Sequence, residues 1–324
     1  DNYELPWITG ELRDLIVNDI SRWYIMLNRE KLDIYSEDPN KLLIMEVLYR
    51  VLYNVLLLLA PINPMISEEI FLKLFQSHLE SIGFKETKSI HLQDWPEYDE
   101  KSINLELEEQ MHFTRELIEI IRAIKDENRI RLRWPNKKII IEEKEDMPKI
   151  KFPEIIKKVG NVKELEIVKS VKQSDNLIKA ETKFCNIYLD ISIDENLLSE
   201  RIVNDLIRNI QFTRKKHGYK TEEKILLKIG AETEYLKDFL ERNQNLISDK
   251  INVDSLEIIF GDLPEEKDKI FGHLNVCPNK DCSAALKDNI ISKLKKTPDL
   301  DCPHCKLKLN QNTIKVIKFN FKRR

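Results

Sequence analysis

Two successive stretches in the first third of the chain carry the apolar spacing of amphipathic helices. Apolar residues recur every three or four positions from Leu12 to Leu27 and again from Ile44 to Leu59. The second stretch carries additional apolar residues outside its main stripe, which predicts burial on several sides. We therefore expect the second helix to be central to a helical domain.

Proline and capping residues mark where further helices begin and end. Asp38–Pro39 is typical of a helix start, and Pro61 and Pro64 end the central helix. Ser67 is suited to cap a third helix, and a fourth helical pattern runs from about Ile103 to Lys125. Four helices of this length predict a bundle.

The period of the apolar pattern changes from helical to strand-like after Pro135. Ile139 and Ile141 begin this β-like region, and apolar and polar residues then alternate from Cys185 to Ile193, as in a strand with one buried face. A helical pattern through Ile202, Leu206 and Ile210 precedes strand-like segments at 225–229 and 256–260, with a helical segment at 235–246 between them. This mixture predicts a small α+β domain.

Four of the five cysteines form two close pairs near the end of the chain: Cys277 with Cys282, and Cys302 with Cys305. Two such pairs about twenty residues apart can bring four thiolates to one tetrahedral ion, which predicts a structural zinc site. A closed set of four ligands leaves no position for water or substrate. Two reducible disulfides or free thiols are the alternative, and His273 and His304 are possible substitute ligands.

The predicted fold is therefore multidomain, with an all-α helix bundle, then a small α+β domain, then a C-terminal zinc-binding module. We place the domains at residues 1–134, 135–270 and 271–324.

Charge is segregated along a chain whose total is nearly neutral. The formal net charge is -3, with 34% charged and 42% hydrophobic residues. Residues 1–110 contain 10 Lys/Arg and 21 Asp/Glu, whereas residues 305–324 contain 7 Lys/Arg and no acid. The cations of this last stretch are suited to phosphate contact, although a solvated tail is the alternative. The candidates there are Lys306, Lys308, Lys322 and Arg323.

A second cationic group combines arginines with an indole ring. Arg129, Arg131, Arg133 and Trp134 lie together at the junction of the helical and α+β parts. Guanidinium groups can pair with phosphates, and the ring can stack on a base. Alternatively, Trp134 packs the domain junction, since Trp is usually largely buried. Arg22 is a further candidate for an outward-facing cation.

Several function classes receive no support from the residues. The longest apolar stretch, Val55 to Ile62, is shorter than the roughly 20 residues of a membrane-spanning helix. We find no signal peptide, no Ser/His/Asp arrangement and no phosphate-binding glycine loop in a chain with 7 Gly. The chain begins at Asp1, which suggests a fragment of a longer protein, and the cysteine usage favours a reducing cytoplasm.

Five segments together resemble the anticodon-binding region of class Ia aminoacyl-tRNA synthetases, and cover nearly the whole chain. The segment Ile130 to Pro135 is similar to the Lys-Leu-Arg-Trp-Pro stretch of archaeal and eukaryotic isoleucyl-tRNA synthetases, with Arg131 at the position of the usual Lys. The other segments are Ile20 to Ile25, Leu59 to Ile70, Ser89 to Pro96 and Ile202 to Gly218.

This resemblance implies a module that binds isoleucine tRNA, with the helical bundle along the anticodon stem and the zinc module near the anticodon loop. The family's full enzymes ligate isoleucine to tRNA with ATP through His-Ile-Gly-His and Lys-Met-Ser-Lys-Ser signatures, neither of which occurs in this sequence. We therefore expect this chain to have no catalytic or editing activity alone, and to act as a cytoplasmic monomer. ATP would be required only by the separate catalytic domain.

Three other interpretations remain open at the level of sequence. A protein-interaction scaffold would use the acidic helices and the zinc module to bind other proteins. The equivalent region of a valyl-tRNA synthetase would share the first helical segments. A zinc hydrolase would require a three-ligand metal site with bound water, which the four cysteines disfavour.

Overall fold

The structure is a computed structural model, and it shows two compact units, residues 1–106 and residues 107–324. It describes residues 5–33, 36–83, 87–172, 174–220, 223–263, 268–279, 282, 284–286, 288–294, 300–309 and 313–323. The chain is thus multidomain, with helices in both units and mixed sheets in the second.

All regular elements described in residues 1–106 are helical. The first helix, α1, continues through a π-helical stretch, Leu15–Ile25, into α2, and two 3₁₀ turns, Ile90–Leu92 and Glu100–Ser102, follow the later helices. The α-helices are α1 (Leu5–Asp14), α2 (Met26–Asn28), α3 (Lys41–Leu59), α4 (Pro64–Leu74) and α5 (Gln76–Ser81), and α6 (Leu105–Glu127) begins at the end of this unit.

Aromatic rings form the core between α3, α4 and α5. Tyr49 of α3 lies 4.6 Å from Phe75, and Phe71 stacks on Phe75 at 6.4 Å, between ring centroids. The prediction that Ser67 caps α4 is wrong. The helix begins three residues earlier, because Pro64 is preorganised for a first helical position, and Ser67 is buried inside it.

One acidic side chain ties the following loop to α4. The Glu68 carboxylate accepts hydrogen bonds from the Ser89 hydroxyl at 3.0 Å and from the Ile90 amide at 2.9 Å. Ile90 is thereby held in the aromatic core, where it is 1% exposed. The loop and the helix are therefore one structural unit.

By length and composition alone, α3 could cross a membrane, because a window of it has a mean hydropathy of 2.0. The longest uninterrupted apolar run, Val55 to Ile62, does not reveal this property, because polar residues are scattered along α3. A single such helix is weak evidence, since core helices of soluble proteins pass the same test. In this chain α3 carries a Glu46–Arg50 ion pair at 2.6 Å and contributes Tyr49 to the aromatic core.

The second unit begins with a four-stranded sheet in the order β2-β1-β4-β3. Helix α6 packs on it: Phe113 contacts the ring of Phe184 edge-on at 6.1 Å. The strands are β1 (Asn136–Glu143), β2 (Val162–Val168), β3 (Leu177–Glu181) and β4 (Cys185–Asp190), and α7 (Pro153–Gly160) connects the parallel pair β1 and β2. Most of α6 therefore belongs to the unit of the sheets, while the domain boundary proposed at residue 134 stays a prediction.

A five-stranded sheet in the order β6-β5-β11-β7-β8 forms the rest of the unit. Helices α8 (Glu195–Lys216), α9 (Glu234–Arg242) and α10 (Gln244–Ile251) contribute to its core together with Phe319 and Phe321. The strands are β5 (Ile225–Ala231), β6 (Val253–Phe260), β7 (Ile270–Val276), β8 (Ala285–Leu286) and β11 (Lys315–Arg323). Gly272 of β7 faces the Phe319 ring, which would lie 2.3 Å from any added Cβ.

The cysteine-bearing segment is inserted between two paired strands of this sheet. It contains α11 (Asp288–Leu294), β9 (Leu300–Asp301) and β10 (Lys308–Leu309). Part of the expected basic tail, Lys315–Arg323, is instead β11, a central strand between β5 and β7, because Phe319 and Phe321 lie on its buried side. The cysteines thus lie in an excursion from the sheet, and the boundary at 270/271 stays a prediction.

Candidate metal centre and arginine groove

The four paired cysteines come together at one point. Their sulfur atoms all lie within 4.8 Å of one another, with Cys277 Sγ 3.8 Å from Cys305 Sγ and Cys282 Sγ 3.9 Å from Cys302 Sγ. A tetrahedral zinc ion with Zn–S bonds of about 2.3 Å separates its sulfurs by roughly 3.8 Å. The arrangement therefore fits a four-coordinate metal ion. His273 and His304 are not in this group of ligand atoms.

Crowding couples the ionisation of these thiols. Contacts with Cys282 and Cys302 raise the pKa of Cys277 above that of an ordinary thiol, whereas contacts with Cys277 and Cys282 lower the pKa of Cys302. A divalent cation at the centre would remove the repulsion that opposes four thiolates. Cys185 lies in β4, outside the cluster, where burial raises the pKa of its thiol.

The arginine–tryptophan segment, residues 131–134, converges on one buried carboxylate. Arg131 Nη1 lies 2.6 Å from Asp205 Oδ2, Arg133 Nε pairs with Asp205 Oδ1, and Trp134 Nε1 donates to Oδ2 at 3.1 Å. The Asp205 side chain is 2% exposed. A carboxylate at this depth requires such partners, and here two guanidinium groups and an indole supply them.

The Trp134 ring is enclosed on several sides. The guanidinium carbons of Arg131 and Arg201 lie 5.0 and 5.3 Å from its ring centroid, and the His304 ring lies at 4.8 Å. Trp134 is 5% exposed. The structure therefore favours packing, the alternative to base stacking, for this residue. Since His304 lies between Cys302 and Cys305, the four-cysteine cluster and the tryptophan share one packed region.

Hydrogen bonds from side chains to backbone carbonyls hold the arginine–tryptophan segment and connect it to the cysteine-bearing segment. Arg131 Nη2 donates to the Ala285 carbonyl at 2.6 Å, and Arg201 donates to the Pro135 carbonyl at 3.0 Å. Lys125 Nζ donates to the carbonyls of Trp134 at 3.0 Å and Asn161 at 3.2 Å. Burial, and then the nearby Arg201, lower the Lys125 pKa to about 7.

The remaining residues proposed for tRNA contact lie on the surface, apart from the group of side chains around Asp205. Arg22 is exposed in the π-helical stretch, and Arg129 is exposed in a turn with φ 57°. Lys306 and Lys308 are exposed beside the cysteines. Lys322 is also exposed at the end of β11, where Arg323 pairs with Glu223 at 3.0 Å. Their role in tRNA binding stays a prediction.

A groove of about 470 Å³ lies against the arginine–tryptophan segment, within the second unit. Its lining comes from that segment, from α8 and from strands β7 and β8, and comprises Arg131, Arg133, Asp205, Arg208, Asn209, Phe212, Leu274, Ala285 and Leu286. Sequence reasoning missed the α8 residues of this groove. An acid at position 205, inside the apolar stripe through Ile202 and Leu206, was the available signal, because a buried acid requires cationic partners.

Comparison with known proteins gives two kinds of match. Residues 1–141 match the model of the "Anticodon-binding domain of tRNA ligase". Isoleucine–tRNA ligases of Pyrococcus abyssi and Pyrococcus horikoshii are 36% and 30% identical over 52% and 78% of this chain. The enzyme of Methanothrix thermoacetophila is 27% identical over 79% of this chain.

The aligned parts are 15%, 22% and 30% of these relatives, so the chain spans less than a third of their length. The similarity extends beyond residue 141, since 78% of the chain aligns with the Pyrococcus horikoshii protein. Residues 1–141 are thus similar to the anticodon-binding domain of tRNA ligases, and the matches together support the anticodon-binding region of an isoleucyl-tRNA synthetase as the counterpart of this chain.

Proposed function

We propose that this chain binds isoleucine tRNA through the anticodon stem and loop, as part of an isoleucine–tRNA ligase. The observation that carries the proposal is the match of residues 1–141 to the anticodon-binding domain of tRNA ligases. The isoleucine assignment is supported by the relatives, which are isoleucine–tRNA ligases. Ligation with ATP and editing would require parts of the enzyme outside these 324 residues, since neither catalytic signature occurs in them.

Phosphate neutralisation by exposed cations would supply most of the affinity. Exposed Lys and Arg side chains can pair with tRNA phosphates and release the counterions condensed on the tRNA, and each such contact makes binding more sensitive to salt. The residues proposed for this role are Arg22, Arg129, Lys306, Lys308, Lys322 and Arg323.

The arginine–tryptophan segment would act mainly by shaping the surface. Arg133 keeps 30% of its side chain exposed, compared with 16% for Arg131, so Arg133 is the better candidate for direct phosphate contact. Trp134 would position the segment from inside the protein.

The metal in this proposal is a zinc ion held by Cys277, Cys282, Cys302 and Cys305. A four-thiolate zinc site stabilises structure and leaves no coordination position for substrate. The exposed Lys306 and Lys308 lie beside these ligands, so the ion would position both cations. We further propose a cytoplasmic, monomeric protein, because thiolate ligands of this kind persist in a reducing compartment.

Binding of tRNA is measured directly with the zinc-loaded 324-residue chain and an unmodified archaeal isoleucine tRNA transcript. We expect a complex at low salt whose dissociation constant rises steeply as potassium chloride increases. A transcript with the anticodon loop replaced should bind more weakly, because the base contacts are lost. Absent or salt-independent binding would contradict the proposal.

A further inference from the structure

The outer face of α8 extends the groove with a cation and an exposed ring. We define this face as Arg208, Phe212, Lys215 and Lys216, in which the last three residues lie four, seven and eight positions after Arg208, as on one side of a helix. Arg208 and Phe212 also line the groove. All four are exposed, so the helix presents a strip of three cations and one aromatic ring.

The groove has more positive than negative charge. Asp205 is already paired with Arg131 and Arg133, whereas Arg208 has no carboxylate partner within the part of the chain that the structure describes. Burial lowers the pKa of Arg131, and the nearby cations Arg133 and Arg208 lower it further. Three guanidinium groups around one carboxylate favour an anion in the groove.

Phe212 is the apolar counterpart of these cations. Its side chain is 69% exposed, and among the described residues it has no aromatic or cationic partner. The groove continues inward from the ring to Leu274 and Leu286, which are 6% and 4% exposed. A flat ring that is this exposed can receive a planar group on its free face.

The helix that carries this face is held rigidly. Arg214, in the last turn of α8, is buried and donates to the carbonyls of Lys220 at 3.0 Å, Glu223 at 2.6 Å and Ile251. Leu206 and Ile210 anchor the opposite side of α8 in the sheet's core. The outer face is therefore preorganised, which lowers the entropy cost of binding a ligand.

From this arrangement we infer that the groove binds one unpaired nucleotide of the tRNA, with its base on Phe212 and its phosphate on Arg208. The inference rests on the proposed function and adds two residues, Arg208 and Phe212, that line the same groove as Arg131 and Arg133. Basic grooves with exposed aromatic rings bind single-stranded nucleic acid, because phosphates pair with the cations while bases stack on the rings. The volume of about 470 Å³ lies within the range of ligand pockets, roughly 300–1,000 Å³.

Two variants separate the two contacts. Phe212→Ala should weaken binding of the isoleucine tRNA transcript roughly 10-fold, because base stacking is lost, with an unchanged salt dependence. Arg208→Gln should weaken binding and reduce the slope of log K against log salt by about 0.7–0.9, because one phosphate contact is lost. Phe212→Trp keeps a stacking surface and should bind at least as tightly as the original chain.

Matched controls come from the same unit. Phe260 is 57% exposed and Lys169 is exposed, and neither lines the groove, so Phe260→Ala and Lys169→Gln should leave binding unchanged. The melting temperature of each variant is measured in parallel, and it should not change for side chains this exposed.

The outcomes distinguish this inference from the proposed function. If the original chain binds the transcript and Phe212→Ala binds it equally well, the groove is not a nucleotide site, although the chain remains a tRNA-binding protein. A protein segment as the occupant would give that same result. If the original chain fails to bind the transcript at low salt, the proposed function itself is wrong.

Discussion

The arginine–tryptophan segment and the outer face of α8 contain the same types of residue in opposite surroundings. Arg131 and Arg133 are paired with a buried carboxylate, and Trp134 is enclosed. Arg208 and Phe212, which line the same groove, are exposed. The comparison shows that cations beside an aromatic ring can serve folding in one place and be available to a ligand in another. Four predictions test it.

Metal removal should have the largest effect and should act on the buried region. A strong chelator, or Cys302→Ser, should unfold the segment between β7 and β11, because structural zinc contributes on the order of 10 kcal/mol in small zinc modules. The Trp134 environment should then change, since His304 and Ala285 contact this region. Hydrogen exchange of residues 277–309, with metal analysis of the purified chain, measures this.

Cys185 provides the control for that experiment, because it is the one cysteine outside the cluster. Cys185→Ser should retain one zinc ion per chain and normal protection of residues 277–309. Full retention of metal by Cys302→Ser would rule out the four-cysteine site.

Replacing the buried Asp205 carboxylate should cause the next largest loss of stability. Asp205→Asn leaves Arg131 and Arg133 without a counter-charge, and loss of one partner from a buried ion pair costs about 3–5 kcal/mol. The free energy of unfolding, from denaturant titration, measures the loss. Glu195→Gln is the control, because it removes the exposed pair with Arg242 at 2.9 Å and should cost under about 1 kcal/mol. Equal losses in the two variants would mean that Asp205 does not stabilise the segment.

The buried amine of Lys125 should make stability depend on pH. Its pKa is about 7 in the folded chain and near 10.5 when unfolded, so the unfolded chain binds more protons between these values. The buried amine therefore lowers the free energy of unfolding by its full amount below pH 7, and this destabilisation is relieved as pH rises towards 10.5. The free energy of unfolding should rise over that window by a few kcal/mol relative to Lys125→Met. If the difference in the free energy of unfolding between the two proteins did not change with pH, Lys125 would have the same pKa in the folded and unfolded chain, as a fully solvated amine has.

The smallest effects should distinguish a half-buried from an exposed arginine. Arg133→Ala should lower the free energy of unfolding by about 1–3 kcal/mol, because Asp205 loses one partner. Arg129→Ala should change it by less than about 0.5 kcal/mol. Arg129→Ala should nevertheless weaken tRNA binding with a smaller salt slope. Denaturant titration and tRNA binding at several salt concentrations are measured for both variants. If Arg129→Ala lowered the free energy of unfolding more than Arg133→Ala, Arg129 would be the structural arginine and Arg133 the available one.

Local patterns in the sequence determined much of this protein. The helical stripe of α3 and the alternation in β4 predicted their elements because side-chain periodicity reports which face is buried. The spacing of Cys277, Cys282, Cys302 and Cys305 predicted the cluster, because short turns alone bring each pair together. Five segments together indicated the family, and the segment Ile130 to Pro135 indicated the isoleucyl enzymes within it.

Only the tertiary structure decided which charged residues are free. Asp205 lies more than 70 positions from Arg131 and Arg133, so their pairing depends on α8 packing beside the segment, which no local pattern encodes. The position of Lys315–Arg323 at the centre of a sheet likewise depends on pairing with β5 and β7, distant in sequence. Periodicity specifies the buried face of an element, whereas its neighbours are chosen by contacts between distant segments, and those contacts separate structural arginines from available ones.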